Sequence, residues 1–304
     1  MDKIYQTLCN IFPHYKINKN KLKKKIFYLI FSVFRPFIKG PFKVNLGSFY
    51  FYCYPQKKDY SNYILKRFEM PDPGELDLIN SLLKKDSTFI DCGANAGFYA
   101  IPIASKNKFC KVYSFEPSNI EFEKLKKNLK INNIKNVYIN KIAISDVNKK
   151  LIFREEGKNK ENYATGNGKI ILNKKKIDKN LDYEVQATTI DSFFLKKKIS
   201  KNIIMKFDLE GHDINGIYGA KKIIKKFKPI ILFEFSKMIL NNHTYKKKDF
   251  EKFINENNLK IIDIYKKVYT VNKLHKKIKQ LDSSHQTIGN YLLIDKKSSI
   301  INLC

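Results

Sequence analysis

The stretch Thr88-Phe89-Ile90-Asp91-Cys92-Gly93-Ala94-Asn95-Ala96-Gly97-Phe98-Tyr99 decides how the rest of the chain is read. A short apolar run ending in glycine predicts a buried strand over residues 88–92 that stops in a tight turn. A helix is expected next, over residues 98–105. The same alternation continues downstream. Strands are predicted at 111–116, 137–140, 203–208 and 229–235, with closing strands at 260–264 and 291–294. Helices are predicted between them, at 213–226 and 249–257. A further helix starts at Ser118, with Glu121 as capping-box partner and Phe122, Leu125 and Leu129 on one face. Residues 150–190 read as strand-like, interrupted by Gly157, Gly166 and Gly168. Strands alternating with helices predict an α/β domain with an open, mostly parallel, doubly wound sheet, Rossmann-like in its winding. Ligands of such sheets bind beyond the carboxyl ends of the strands, so the chemistry is sought after residues 92, 116 and 208.

Working outward from the first strand, Pro71-Asp72-Pro73-Gly74 reads as a turn and residues 75–83 as a helix. Residues 42–54 alternate and are rich in aromatics, which predicts a hairpin. Residues 1–40 form a basic, aromatic N-terminal segment, residues 41–85 the hairpin and helix, and residues 86–304 the main domain.

The chain has 304 residues, 43% hydrophobic, enough for a real core. Its formal charge of +30 suggests a nucleic-acid binder. Only Arg35, Arg67 and Arg154 among the 59 basic residues are arginine, however, and arginine is the better fork for phosphates and bases. The abundance of Lys, Asn and Ile points to compositional bias, and nucleic acid is not the expected partner. Five cysteines without a C-x-x-C pair suggest neither a disulfide framework nor a zinc site, which fits a reducing cytoplasm. No apolar run reaches the roughly 18–20 residues that span a bilayer. Residues 26–34 follow a basic run and stop at Arg35-Pro36. They lie late for a secretory signal, and no small-residue cleavage site follows. Two readings of residues 19–38 stand: a buried N-terminal helix, or a basic–aromatic helix lying peripherally on the inner membrane face.

The turn after the first strand separates three nucleotide sites. A P-loop needs Gly-Lys-Ser/Thr, but Phe98 and Tyr99 follow Gly97. A dinucleotide fingerprint needs glycine where Asn95 stands, and Asp91 would repel phosphates. The remaining pattern, D-x-G-x-x-x-G, suits a sulfonium cofactor with an amino-acid tail. Gly93 and Gly97 would let the backbone pass under the ligand, and Asp91 would meet its ammonium. Glu116, nineteen residues after Gly97, is placed to accept hydrogen bonds from a ribose diol. Asp208, Glu210 and His212 follow the fourth main strand, and Asp213 reads as a helix N-cap. His14, His243, His275 and His285 have no ligand-like partners in sequence, and His243 is a candidate to line the pocket.

With these pieces in place, the chain resembles the FkbM family of class I S-adenosylmethionine-dependent methyltransferases. The resemblance rests on residues 89–99, Phe115-Glu116-Pro117, Ala143-Ile144-Ser145-Asp146, Thr189-Ile190-Asp191-Ser192-Phe193 and the stretch 208–234, and covers roughly residues 70–295. Cys92 departs from the family's usual aliphatic residue and reads as a small core residue. The resemblance implies a seven-stranded sheet with a reversed last strand and S-adenosylmethionine as cofactor. It also implies O-methylation of a hydroxyl on a sugar, glycan or other small acceptor. Carried onto this chain, it implies that Asp91, Gly93, Asn95 and Gly97 hold the methionine part and Glu116 the ribose. Ala143, Ile144 and Asp146 would lie near the adenine, and Asp208, Glu210 and His212 would face the acceptor. In-line transfer to a hydroxyl needs a group to take its proton, with Asp208 or His212 as candidate base, and no metal is expected. The rivals are an RNA methyltransferase and a non-catalytic binding protein of the same fold. Base amino-methylating enzymes have an Asn/Asp-Pro-Pro-aromatic loop where this chain reads Asp208-Leu209-Glu210-Gly211. Oligomeric state is not legible.

Overall fold

The computed structural model describes residues 2–11, 21–34, 37–55, 59–67, 69–155, 168–172, 177–242, 244–281 and 287–298. His14, Arg35-Pro36, Gly157, Gly166, His243 and His285 lie outside the described residues.

The strand read first is β3, Thr88–Cys92, and all five of its residues are buried. It lies between β4 (Lys111–Phe115) and β10 (Ile203–Phe207), parallel to both. β5 (Val137–Asn140) pairs parallel beyond β4, and β11 (Ile230–Ser236) beyond β10. β14 (Thr287–Asp295) then runs antiparallel between β11 and β12 (Leu259–Asp263), the expected reversed last strand. These seven strands are extended by an eighth, the two-residue edge strand β13 (Val268–Tyr269), so the sheet order is β13-β12-β14-β11-β10-β3-β4-β5.

Alternate side chains of one strand point to opposite faces, and here they enter two different cores. Phe89, Ile204 and Leu232 join a cluster with the N-terminal Tyr5, Phe27 and Phe31. Ile90, Met205 and Phe233 join the opposite cluster with Ile217, Phe250 and Leu274. The N-terminal helices α1 (Asp2–Ile11) and α2 (Lys21–Phe34) therefore share a core with the main domain.

The predicted hairpin is β1 (Phe42–Asn45) with β2 (Tyr50–Cys53). After α3 (Asn62–Arg67), the next helix, α4 (Pro73–Leu82), starts two residues before its predicted position, inside the supposed turn, with Asp72 left-handed at its cap. α5 spans Ala100–Lys106 because residues 95–99 are spent in a turn. In α6 (Asn119–Ile131), Ser118 accepts the Glu121 N–H as predicted. The reciprocal half of that box is absent: the Ser118 N–H goes to Glu116, while Glu121 turns inward to Lys124. The strand-like region forms a second sheet, in the order β6 (Ala143–Ile144), β9 (Asp182–Thr188), β7 (Lys150–Arg154), β8 (Lys169–Ile171).

The second half continues through α7 (Ile190–Phe194), α8 (Asp213–Tyr218), α9 (Lys221–Phe227), α10 (Lys237–Asn241) and α11 (Lys247–Glu256). The last helix, α12 (Val271–Lys279), was not read from the sequence, although its buried Val271, Leu274 and Ile278 have helical spacing.

Candidate active site

Three strand ends meet at one point. The carbonyl of Phe115, ending β4, accepts the N–H groups of Gly93 and Ala94, and the carbonyl of Cys92 accepts the N–H of Asp208. The turns after β3, β4 and β10 are thereby bound into one floor. A Cβ on Gly93 would fall inside the van der Waals shell of the Asp208 carbonyl oxygen, and φ there is +83°. A Cβ on Gly97 would lie 2.8 Å from both Ile101 and Leu125. Glycine at these two positions is thus required by close packing within the chain, where the sequence suggested ligand approach.

Asn95 is also left-handed, with φ 51°. That conformation turns its N–H onto Glu116 Oε2 at 2.7 Å, while the Ser118 N–H donates to Glu116 Oε1 at 2.8 Å. Glu116 is buried, and burial pushes its carboxyl up to about 8 against those two N–H groups.

Beyond this floor opens a cleft with about 720 Å³ of empty space, open solvent included. Phe115, Pro117, Ile120, Ala143, Ile144 and Phe153 supply its apolar walls. Among the described residues, Glu116, Glu121, Glu155, Asp208 and Glu210 supply acidic side chains, against one lysine, Lys169. The β7–β8 ribbon closes one side, and its Glu155 accepts the Ile120 N–H at the start of α6 and the Tyr183 hydroxyl. A chain of net charge +30 thus lines its cleft mainly with acidic side chains, of which Glu116, Glu121 and Glu210 are shifted by burial toward the protonated form.

Other expected residues lie elsewhere. Asp91 is beneath the floor, fully buried, with no well-formed hydrogen bond at either oxygen. Burial raises its carboxyl to about 6, while nearby Lys206 works in the opposite direction. Asp146 is exposed, bonded to Ser145 and Asn215, and does not line the cleft. His212 does line it, with its Nε2 2.9 Å from Ser145 Oγ and its Nδ1 unpartnered. Burial drops the His212 pKa to about 4, so the ring is neutral near pH 7. His212 itself occupies the N-cap position of α8 without a side-chain cap bond. Asp213, predicted as that cap, is instead the first helical residue, because its carboxylate folds back to accept the Leu209 and Gly211 N–H groups. Cys92 is fully buried, as read.

A second pocket adjoins the cleft and shares Gly93, Asn95, Asp208 and Glu210 with it. Its other walls include Tyr60, Asp72, Phe98, Tyr99, Lys206 and Glu234. Lys206 is buried, 2.8 Å from Asp208 Oδ2 and 4.4 Å from the centre of the Tyr99 ring. Burial opposes its charge, but Asp208 and Asp91 outweigh burial and hold it protonated. Tyr99 donates to Asp72 Oδ2 at 3.0 Å. Glu210 is held in a left-handed turn (φ 51°), and burial, then Asp208 and Glu234, raise its pKa well above the ordinary range. Lys206, Tyr99, Asp72 and Tyr60 were given no role from sequence. A signal existed for Lys206, since a lysine inside an otherwise apolar buried strand needs a partner. None existed for Tyr60 or Asp72, which reach the pocket only through the fold. Among the described residues no cluster is suited to a metal, and His275 hydrogen-bonds Tyr245 at 2.6 Å.

The doubly wound sheet with its reversed strand is the fold of the class I S-adenosylmethionine-dependent methyltransferases, and the cleft lies over its β3 and β4 turns. The Methyltransferase FkbM domain matches residues 91–264, more than half of the chain, and the protein belongs to that family. Its cofactor is S-adenosylmethionine. Among solved structures, an FkbM methyltransferase from Methylobacillus flagellatus aligns at 14% identity with TM-score 0.42. The alignment covers 77% of this chain and 52% of the M. flagellatus chain, so the present chain spans about half of that protein's length. M. jannaschii TYW2 in complex with AdoMet aligns at 14% identity with TM-score 0.35, covering 75% of this chain and 78% of the other. No curated protein matches the chain.

The residues present fit the cofactor. Apolar walls at Phe115, Ala143, Ile144 and Phe153 suit an adenine, and Glu116 in its carboxylate form offers acceptors to a ribose diol. When bound, S-adenosylmethionine supplies a methyl group already activated on a sulfonium.

Proposed function

We propose that the protein transfers this methyl group to a hydroxyl oxygen of a sugar, glycan or other small polyhydroxyl acceptor. The observation that carries the reading is the junction of the two pockets at Gly93, Asn95, Asp208 and Glu210. Donor and acceptor entering from opposite sides would meet there, and alignment of two reactants can be worth roughly 7–11 kcal/mol.

Asp208 stands at that junction with its side chain 37% exposed, so it reaches a ligand while Lys206 anchors it from below. It accepts the hydroxyl hydrogen bond and takes the proton as the oxygen gains the methyl group. Lys206, 2.8 Å away, fixes the rotamer of Asp208. Asp213 holds the Leu209 and Gly211 N–H groups, and so fixes the turn that carries Glu210. His212 is neutral and already engaged by Ser145, which makes it a wall of the cleft in this reading. Asp72, Tyr60 and Glu234 offer the acceptor polar groups suited to several hydroxyls.

The test is methyl transfer from isotope-labelled S-adenosylmethionine to polyhydroxyl acceptors, comparing wild type with Asp208→Asn. The variant should bind cofactor within about twofold of wild type and lose roughly 10²–10⁴-fold in transfer rate. The product should be a base-stable methyl ether. Label found in RNA, on nitrogen, or in a base-labile ester would sink the reading, and so would wild-type transfer by Asp208→Asn.

A further inference from the structure

Helix α2 has an apolar face on each side. Phe27 and Phe31 point inward, their rings 5.8 and 5.6 Å from that of Tyr5, which in turn packs edge-on against Phe42. Leu22, Ile26, Leu29 and Val33 are exposed by 68, 51, 65 and 58%. At 100° per residue these four side chains fall within an arc of about 60°, opposite Phe27 and Phe31. Phe37, just beyond the helix, is 67% exposed. An apolar stripe of this size on a surface helix marks an interaction site.

The charge of the surrounding sequence identifies the partner. Residues 3–58 contain eleven lysines and Arg35 and not one aspartate or glutamate. Four of those lysines, Lys21, Lys23, Lys24 and Lys25, stand in the first five residues of α2. The helix is 14 residues, about 21 Å, against the roughly 30 Å of a bilayer core, and no helix among the described residues is long and apolar enough to cross a membrane. Apolar side chains along one line with lysines crowded at one end suit the boundary between headgroups and acyl chains.

We propose that the outward face of α2, with Phe37, seats the protein on an anionic lipid bilayer. Leu29, Val33, Ile26 and Phe37 enter the acyl boundary, and Lys25, exposed beside Ile26, contacts anionic headgroups. The docking is rigid. The rings of Phe27, Phe31 and Tyr5 lead to Phe42, β1 pairs with β2, and Phe51 of β2 stacks on Phe98 at 5.0 Å. Phe98 lines the acceptor-side pocket, so a membrane under α2 would hold that pocket at a set orientation to the lipid surface.

Vesicle flotation of the full chain tests this, with phosphatidylcholine vesicles and with phosphatidylcholine–phosphatidylglycerol vesicles. The doubly substituted Leu29→Glu/Val33→Glu chain provides the comparison. Both side chains are exposed, so the variant should keep the wild-type circular dichroism and S-adenosylmethionine affinity. Wild type should float with the anionic vesicles, stay below with the neutral ones, and lose binding as salt is raised. The variant should lose at least about tenfold in bound fraction, since two large apolar side chains no longer leave water. Absence of flotation with anionic vesicles would overturn the proposal, as would equal flotation of the variant. It would also be overturned if the substitutions dissociated a dimer or abolished RNA binding while leaving lipid binding intact.

Discussion

Asn128 of α6 takes the N–H of Tyr52 on its Oδ1 at 2.8 Å, and one turn later Asn132 brackets Tyr50 in the same way, accepting its N–H and donating to its carbonyl at 2.7 Å. Four residues of helix advance about 6 Å and two residues of strand about 6.6 Å, so side chains at i and i+4 match alternate backbone positions of the edge strand β2. Asn128 also donates to the carbonyl of Ala96, which ties the N-terminal hairpin to the cofactor turn. An aligned pair of helix asparagines here satisfies a sheet edge.

Asn128→Ala would leave the Tyr52 N–H and the Ala96 carbonyl without partners in a buried place. A loss of about 2–4 kcal/mol in denaturant unfolding is expected, together with weaker S-adenosylmethionine binding. Asn132→Ala, at a partly exposed site, should cost less and leave cofactor affinity unchanged. Equal effects of the two substitutions would contradict the bridging role.

Gly93→Ala places a methyl group against the Asp208 carbonyl at φ +83°. The β3 and β10 turns must separate, and the expected cost is on the order of 3 kcal/mol or more. Thermal unfolding reads the stability, and calorimetric titration with S-adenosylmethionine should show binding lost or strongly weakened. An alanine variant of wild-type stability would show that the two turns are less tightly joined than described.

The lowered pKa of His212 has a sign that can be checked. The unfolded ring takes a proton near 6.5 and the folded ring near 4, so between those values the unfolded state binds more protons and stability falls as pH falls. The raised carboxyls of Glu116 and Asp213 act the opposite way, favouring the folded state at acid pH, so only a difference isolates the histidine. The stability of wild type relative to His212→Gln should drop by about 3 kcal/mol between pH 6.5 and 4. A flat difference would place the ring in contact with water.

Glu116 gives a second pH signature. Its carboxyl titrates near 8 in the free protein, and the carboxylate is the form that accepts a ribose diol. Adenosine, which carries the ribose but no amino-acid tail, should bind more tightly as pH rises toward 8, by up to about tenfold per pH unit on the acid side. Glu116→Gln should bind weakly and without that slope. A wild-type profile flat from pH 6 to 9 would remove Glu116 from ribose binding.

The parallel sheet and its cofactor end were legible because buried strands carry their own signature. The run at Thr88–Cys92 is short, largely apolar and followed by glycine, and Glu116 is marked by ending the next strand. Burial is a property of a whole strand, and local composition reports it. The turn at 208–213 was legible as a group of polar residues but not in its roles. Asp213 capping its own preceding turn, and His212 bonding Ser145, depend on distances set by packing. The helix over Val271–Lys279 carried a helical pattern that was there to be read.

By itself, the sequence determined the class of domain and the position of its cofactor turn, because strand burial and glycine-containing turns are local constraints on a few consecutive residues. The tertiary structure alone decided that a strongly basic chain lines its cleft with acidic side chains, and that Lys206 meets Asp208 and Tyr99 beneath it. It also decided that Asp72 and Tyr60 reach the second pocket and that Gly93 is glycine for the sake of Asp208. Except for Lys206 with its near neighbour Asp208, those relations join residues dozens of positions apart. Electrostatics and steric fit act through space, and no window along the chain contains both partners.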